Sequence, residues 1–173
     1  MIRNFFLLTA SFAKTSRPAN AGFGIAILLL TGLANNLQAQ TSWATAAAGN
    51  WNLAASWNPA VVPIEGTAVS ITIAGTYTVT YNSPMAATSM GSLTLGSASS
   101  IPTLTLTAPG FNVAGTCTLV DSSAEILNVN SGGVMNTATL NMASRSALVN
   151  VNSGGVMTNG ATQVGNNGSN DGG

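Results

Sequence analysis

Between residues 93 and 164 the chain repeats a three-residue unit, apolar-polar-apolar. Its members are Leu93-Thr94-Leu95, Leu104-Thr105-Leu106, Cys117-Thr118-Leu119, Leu127-Asn128-Val129, Leu140-Asn141-Met142, Val149-Asn150-Val151 and a weaker Thr162-Gln163-Val164. Alternation with a period of two turns one set of side chains inward and the other outward, which predicts short half-buried strands. The unit centres are separated by 11, 13, 10, 13, 9 and 13 residues, so each adjacent pair of spacings covers 22 to 24 residues. One repeat is therefore expected to hold two short strands joined by two unequal turns, with Gly, Ser and Asn supplying the positive-φ corners.

A longer identity sits on this pattern. Asn128-Val129-Asn130-Ser131-Gly132-Gly133-Val134-Met135 recurs letter for letter as Asn150-Val151-Asn152-Ser153-Gly154-Gly155-Val156-Met157, an offset of 22. Two architectures accommodate short strands at this spacing. A meander or sandwich pairs consecutive strands antiparallel, whereas a parallel β-solenoid stacks each strand on its equivalent one coil later. The repeat favours the solenoid, because stacked coils place equivalent residues above one another and a meander has no reason to repeat every second strand. Inward aliphatics contribute about 1.5 to 3 kcal/mol each against the ordering of about 22 residues per coil, so several coils must stack before any is stable.

Ahead of the repeats, Val69-Ser70-Ile71-Thr72-Ile73 and Thr76-Tyr77-Thr78-Val79-Thr80-Tyr81 alternate cleanly around Ala74-Gly75. They read as a hairpin or as an irregular first coil. Trp43, Trp51 and Trp57 precede them and are the only tryptophans. Their expected role is to cover the open apolar end of the stack as a cap; a sugar-stacking platform is the sharper alternative, since aromatic faces also serve recognition.

Composition narrows the function classes. The chain of 173 residues carries four basic and four acidic residues, no His and one Cys, against the roughly 25% charged residues of an average soluble domain. His-based catalysis, His metal sites and intramolecular disulfides are excluded. A basic nucleic-acid surface is not expected either, because Arg3, Lys14 and Arg17 lie in the first 17 positions. Cys117 occupies an apolar strand position and is expected to be a buried, inert thiol.

The N-terminal charges belong to a different feature. A basic start, an uncharged stretch from Ala21 to Ala34 containing Ile25-Ala26-Ile27-Leu28-Leu29-Leu30, and a small residue at Ala39 make a secretory signal peptide cut between Ala39 and Gln40. The apolar run falls short of the about 18 residues a membrane span requires, which ranks an uncleaved anchor second. The expected organisation is a signal peptide over 1–39, an N-terminal cap with the first strands over 40–90, and solenoid repeats over 91–173. After cleavage Arg145 faces Glu65, Asp121, Glu125 and Asp171, a net charge of minus three.

The chain resembles a known group of proteins. Gly49-Asn50-Trp51, then Ser56-Trp57-Asn58-Pro59, Val61-Val62-Pro63, an alternating strand, Gly91-Ser92-Leu93-Thr94-Leu95-Gly96 and Gly-rich repeats look like the N-terminal part of autotransporter-passenger-like bacterial surface proteins, including those with autotransporter-associated strand repeats. The resemblance covers about residues 41–170. It implies a right-handed parallel β-helix displayed outside the cell, secreted or at the outer membrane. Members often carry a C-terminal barrel or sorting signal, which residues 91–173 do not contain. The strand spacing calls for another strand near 172–174, so the chain is expected to be the N-terminal part of a longer protein or a truncated product.

Catalytic constellations are thin. Asp121 and Glu125 fall in the turn between two units and read as a solvated corner; two carboxylates there make little of a Ca²⁺ site. Glu65 lies at the entry to the first strand, Asp171 in the tail, and Arg145 in a loop. Ice binding would need flat Thr arrays, but in register the outward centres read Thr94, Thr118, Asn141, Gln163 on one side and Thr105, Asn128, Asn150 on the other. No enzyme activity, catalytic residue, metal or cofactor is expected. The expected function is an exported surface scaffold of stalk or adhesin type, with polysaccharide binding or degradation as the alternative and ice binding below it. Glycans or cell-surface components are the expected partners, and a membrane enters only through the export signal or a missing anchor. Asn128, Asn130, Asn150 and Asn152, with Gly132, Gly133, Gly154 and Gly155, are the structural repeat residues. The shortage of charge follows from stacking: like charges about 4.8 Å apart repel by about 0.9 kcal/mol per pair even in water, whereas stacked Asn side chains can hydrogen-bond along the ladder.

Overall fold

The computed structural model describes residues 40–84, 89–120, 124–143 and 146–165. The signal segment 1–39, Asp121, Arg145, Asp171 and the closing tail from Asn166 lie outside the described residues. The secondary structure follows the alternation of the sequence. The strands are β1 (Gln40–Trp43), β2 (Gly49–Asn50), β3 (Trp57–Asn58), β4 (Ala68–Ile71), β5 (Gly75–Tyr81), β6 (Ser89–Met90) and β7 (Ser92–Leu95), followed by β8 (Ser100–Leu106), β9 (Phe111–Leu119), β10 (Ile126–Val129), β11 (Val134–Met142), β12 (Leu148–Val151) and β13 (Val156–Val164). One three-residue 3-10 turn, Ala54–Ser56, is the helical structure among the described residues.

The strands form two sheets that alternate along the chain. Sheet A runs β13-β11-β9-β7-β4-β1-β3, with β6 also paired to β9, and sheet B runs β12-β10-β8-β5-β2. Every strand pair is parallel except β1 with β3. Consecutive strands therefore never pair as a meander would require: Asn128 is in register with Thr105 and Asn150, and Asn141 with Thr118 and Gln163. The molecule is a parallel β-solenoid. Its coils are β4 with β5, β7 with β8, β9 with β10 and β11 with β12, preceded by β1 with β2 and ending in β13. The segment around Ala74-Gly75 is thus a coil corner and not a hairpin, since β4 and β5 stand in different sheets.

Register explains the core. Val69, Leu93, Cys117, Leu140 and Thr162 form one inward column of sheet A, and Ile71, Leu95, Leu119, Met142 and Val164 the next. In sheet B, Val79, Leu104, Leu127 and Val149 stack beside Tyr81, Leu106, Val129 and Val151. Through the middle coils these side chains are fully buried, each contributing about 1.5 to 3 kcal/mol. Burial then fails toward the C-terminus, where Val151 and Val164 are exposed because no described coil follows.

One strand of each repeat is longer than its sequence pattern suggested. The long spacing between units is not a simple turn, because β9, β11 and β13 are nine residues long and begin well before the apolar-polar-apolar unit. Their first halves, with β6, make a short third face in which Ser89 and Met90 pair with Asn112 and Val113, and Phe111, Asn112 and Val113 pair with Met135, Asn136 and Thr137. The strand then turns a corner, where Ala114 and Gly115 of β9 stand against the single Ala138 of β11 and the register shifts. Alternation hid this face because an inward position, Thr137, is polar. Its hydroxyl lies 3.0 Å from the Thr139 carbonyl and 3.3 Å from the Gly115 carbonyl, so a buried Thr is satisfied where an aliphatic was expected.

Candidate functional site

Outward positions of sheet B repeat from coil to coil, and the repeat side chains meet as stacking requires. The Asn150 amide donates to the Asn128 side-chain oxygen at 2.8 Å, and Asn152 donates to Asn130 at 2.6 Å. Each Asn has a donor and an acceptor, so one orientation lets a ladder propagate without leaving either end mismatched. A further ladder was not singled out from the sequence: Asn136 donates to Asn112 at 2.8 Å on the third face. Its signal was available as Asn at the same place in consecutive repeats, but the segment read as a turn.

The glycines of the repeat perform two different tasks at the corner that follows. Gly132 and Gly154 have φ of +82° and +80°, a region that residues with a Cβ rarely adopt. Gly133 and Gly155 are tied to close approach instead, since a Cβ there would run into the carbonyls of Leu106 and Val129 of the preceding coil. Hydrogen bonds close each turn, from Gly133 N–H to Asn130 O and from Gly155 N–H to Asn152 O, both at 2.8 Å.

The three tryptophans gather in the interior at the N-terminal end. Trp43 and Trp57 meet edge-on with ring centroids 5.0 Å apart, Trp51 and Trp57 at 4.7 Å, and Trp51 reaches Phe111 at 4.8 Å. Their indole N–H groups are spent within the protein, Trp57 on the Trp51 carbonyl at 2.7 Å and Trp43 on the Ala47 carbonyl at 3.1 Å. With 1 to 2% of their surface exposed, they offer no open face to a sugar, which corrects the platform reading. The reason is local: β3 folds back antiparallel on β1, pairing Trp43 with Trp57, and β2 turns Trp51 inward over Tyr81 and Phe111.

Glu125 also departs from its expected place. It is fully buried, not a solvated corner, and its side chain lies over Gly96, where any Cβ would collide with it. The corner before β10 brings it inside because Gly96, at φ +93°, leaves the room a side chain would fill. Glu65 stays on the surface. Cys117 stands in the Leu93–Leu140 column, fully buried, and burial alone pushes its thiol up to about 12 from 9.0. Among the described residues no three of His, Cys, Asp or Glu come together as metal ligands would.

A concave surface remains at the N-terminal step of sheet B. There β2, two residues long, lies beside the seven-residue β5, with Gly49 opposite Val79 and Asn50 opposite Thr80. Ala48 and Gly49 present little side chain, so Thr78 and Thr80 lie at the floor of an open groove of about 400 Å³, with Asn50 and Asn82 beside them. A second hollow of about 360 Å³ adjoins it through Asn50 and is lined by Asn52, Leu53 and Ser83. The amides are fixed: Asn50 donates to the Asn82 side-chain oxygen at 2.7 Å and accepts from the Asn52 backbone N–H at 2.8 Å, while Asn52 donates to the Ser83 carbonyl at 2.9 Å. This groove was not foreseen, because it arises from the unequal lengths of two strands 30 residues apart.

Comparison with family models, with curated proteins and with solved structures found no match for this chain.

Proposed function

We propose that this is an exported, non-enzymatic surface protein whose coils act as a stalk or adhesive display face. The observation that carries the reading is the set of neutral polar columns on sheet B. Thr80, Thr105, Asn128 and Asn150 stand in register at a strand spacing of about 4.8 Å, and the two Asn members are joined by a ladder bond. Such a face repeats one weak contact many times at fixed spacing, and linked weak contacts yield an avidity well above that of any single one. Export rests on the basic start, apolar run and small residue of positions 1–39. The resemblance to autotransporter-passenger-like surface proteins points the same way.

The reading separates cleanly from an enzymatic one. Applied to a glycan array and to intact cells, the mature protein is expected to bind without releasing new reducing ends. Release of reducing ends from a bound polysaccharide, at a rate proportional to protein concentration, would overturn it.

A further inference from the structure

We infer that the groove at the N-terminal step of sheet B is a binding site for a neutral saccharide chain. The inference rests on the display reading and gives it a specific contact point. Three features define the ligand. The lining residues Asn50, Asn52, Leu53, Thr78, Thr80 and Asn82 include no ionisable group, so the site offers no charge to attract or neutralise an ionic ligand. Among the described residues the hydroxyls of Thr78 and Thr80 and both N–H groups of the Asn82 amide are not used in any hydrogen bond, while Asn50 and Asn52 hold the wall in place. Donors and acceptors held rigid before binding suit a polyhydroxylated partner, since little side-chain entropy is then lost on contact.

Shape supplies the third feature. About 400 Å³ lies at the small end of the about 300 to 1,000 Å³ of ligand clefts, but this one is a shallow open hollow and not an enclosed cavity, which suits a segment of a longer chain. Leu53, 56% exposed, borders the adjoining hollow and provides an apolar surface for the C–H face of a sugar ring. On its other side β5 is matched along its whole length by β8, from Gly75 opposite Ser100 to Tyr81 opposite Leu106. The step between β2 and β5 is what makes this part concave.

The test uses the mature chain with isotope-labelled backbone amides and four neutral tetrasaccharides: α-1,4-glucan, β-1,4-glucan, β-1,4-mannan and β-1,4-linked N-acetylglucosamine. At least one is expected to shift the amides of Asn50, Thr78, Thr80 and Asn82 in a saturable way. Thr80→Val, which keeps the shape of an outward side chain and removes its hydroxyl, is expected to weaken that binding about tenfold; Thr118→Val, at an outward position of sheet A, is expected to leave it unchanged. Shifts spread evenly over sheet B, equal loss in both variants, or no shift with any of the four sugars would overturn the groove. If the groove fails while the protein still binds cells or arrayed glycans, the display reading stands alone. If the groove binds and no cell or arrayed glycan does, the display reading fails.

Discussion

Cys117 shows what a single position in the stack is allowed to be. It is enclosed by Leu93 and Leu140 above and below, so ionising it means placing a thiolate among aliphatic side chains, and its pKa is pushed up to about 12. Because the folded pKa lies above the unfolded value of 9.0, the unfolded chain loses its proton first. The contribution to stability is therefore complete below pH 9 and is lost as pH rises from there through the folded value. The expected slope is about 1.4 kcal/mol per pH unit. Denaturant melts between pH 8 and 11 would show it, and Cys117→Ala, though less stable at neutral pH, should have a shallower slope; equal slopes would refute this. The Asn residues illustrate the complementary rule for outward positions. Asn128 and Asn150 satisfy each other without charge, whereas a carboxylate pair at the same spacing would repel. Glu125 escapes the rule by turning inward at a corner, a placement that depends on Gly96 and that its neighbours in sequence do not announce.

At the scale of the element, the corner following sheet B decides how closely coils can stack. Gly133 lies against the Leu106 carbonyl of the coil before it, so its missing side chain is required by a distance between coils. Gly133→Ala is expected to cost about 1 to 3 kcal/mol by forcing the corner apart, while Ser131→Ala, at an exposed place in the same turn, should cost less than about 0.5 kcal/mol. Urea midpoints of the two variants decide the matter, and similar shifts would sink the claim. The third face is the element that sequence reasoning missed. Val134-Met135 and Val156-Met157 were visible as apolar pairs, but the inward Thr137 and the unequal corner of Ala114-Gly115 against Ala138 break the period on which strand recognition depends.

Across the whole molecule, stability is distributed from one end to the other. The N-terminal end is closed by β3 and by the indoles packed edge to face, while the last described coil leaves Val151 and Val164 exposed, the latter at 74%. In a stack where each coil contacts its neighbours alone, the coil with one neighbour opens most readily. Hydrogen exchange is expected to be fastest over 148–165 and slowest over 104–119, and uniform protection along the stack would contradict this. The spare edges of β12 and β13 also carry no ionisable residue between 146 and 165, the usual device for keeping exposed strands apart.

Some of this was written in the sequence because it depends on nearby residues. Alternation set which side chains of Leu104-Thr105-Leu106 and its counterparts face inward, and the octapeptide repeat set the stacking of Asn128 on Asn150 and Asn130 on Asn152, since an identical coil laid on its copy brings like to like. Other features needed the chain to be folded. The groove beside Thr78 and Thr80 comes from pairing a two-residue strand with a seven-residue one, the burial of Trp43, Trp51 and Trp57 from β3 returning onto β1, and the enclosure of Glu125 from its approach to Gly96. Periodicity fixes orientation within a coil; what lies over a given residue depends on contacts between coils, including those whose lengths do not repeat.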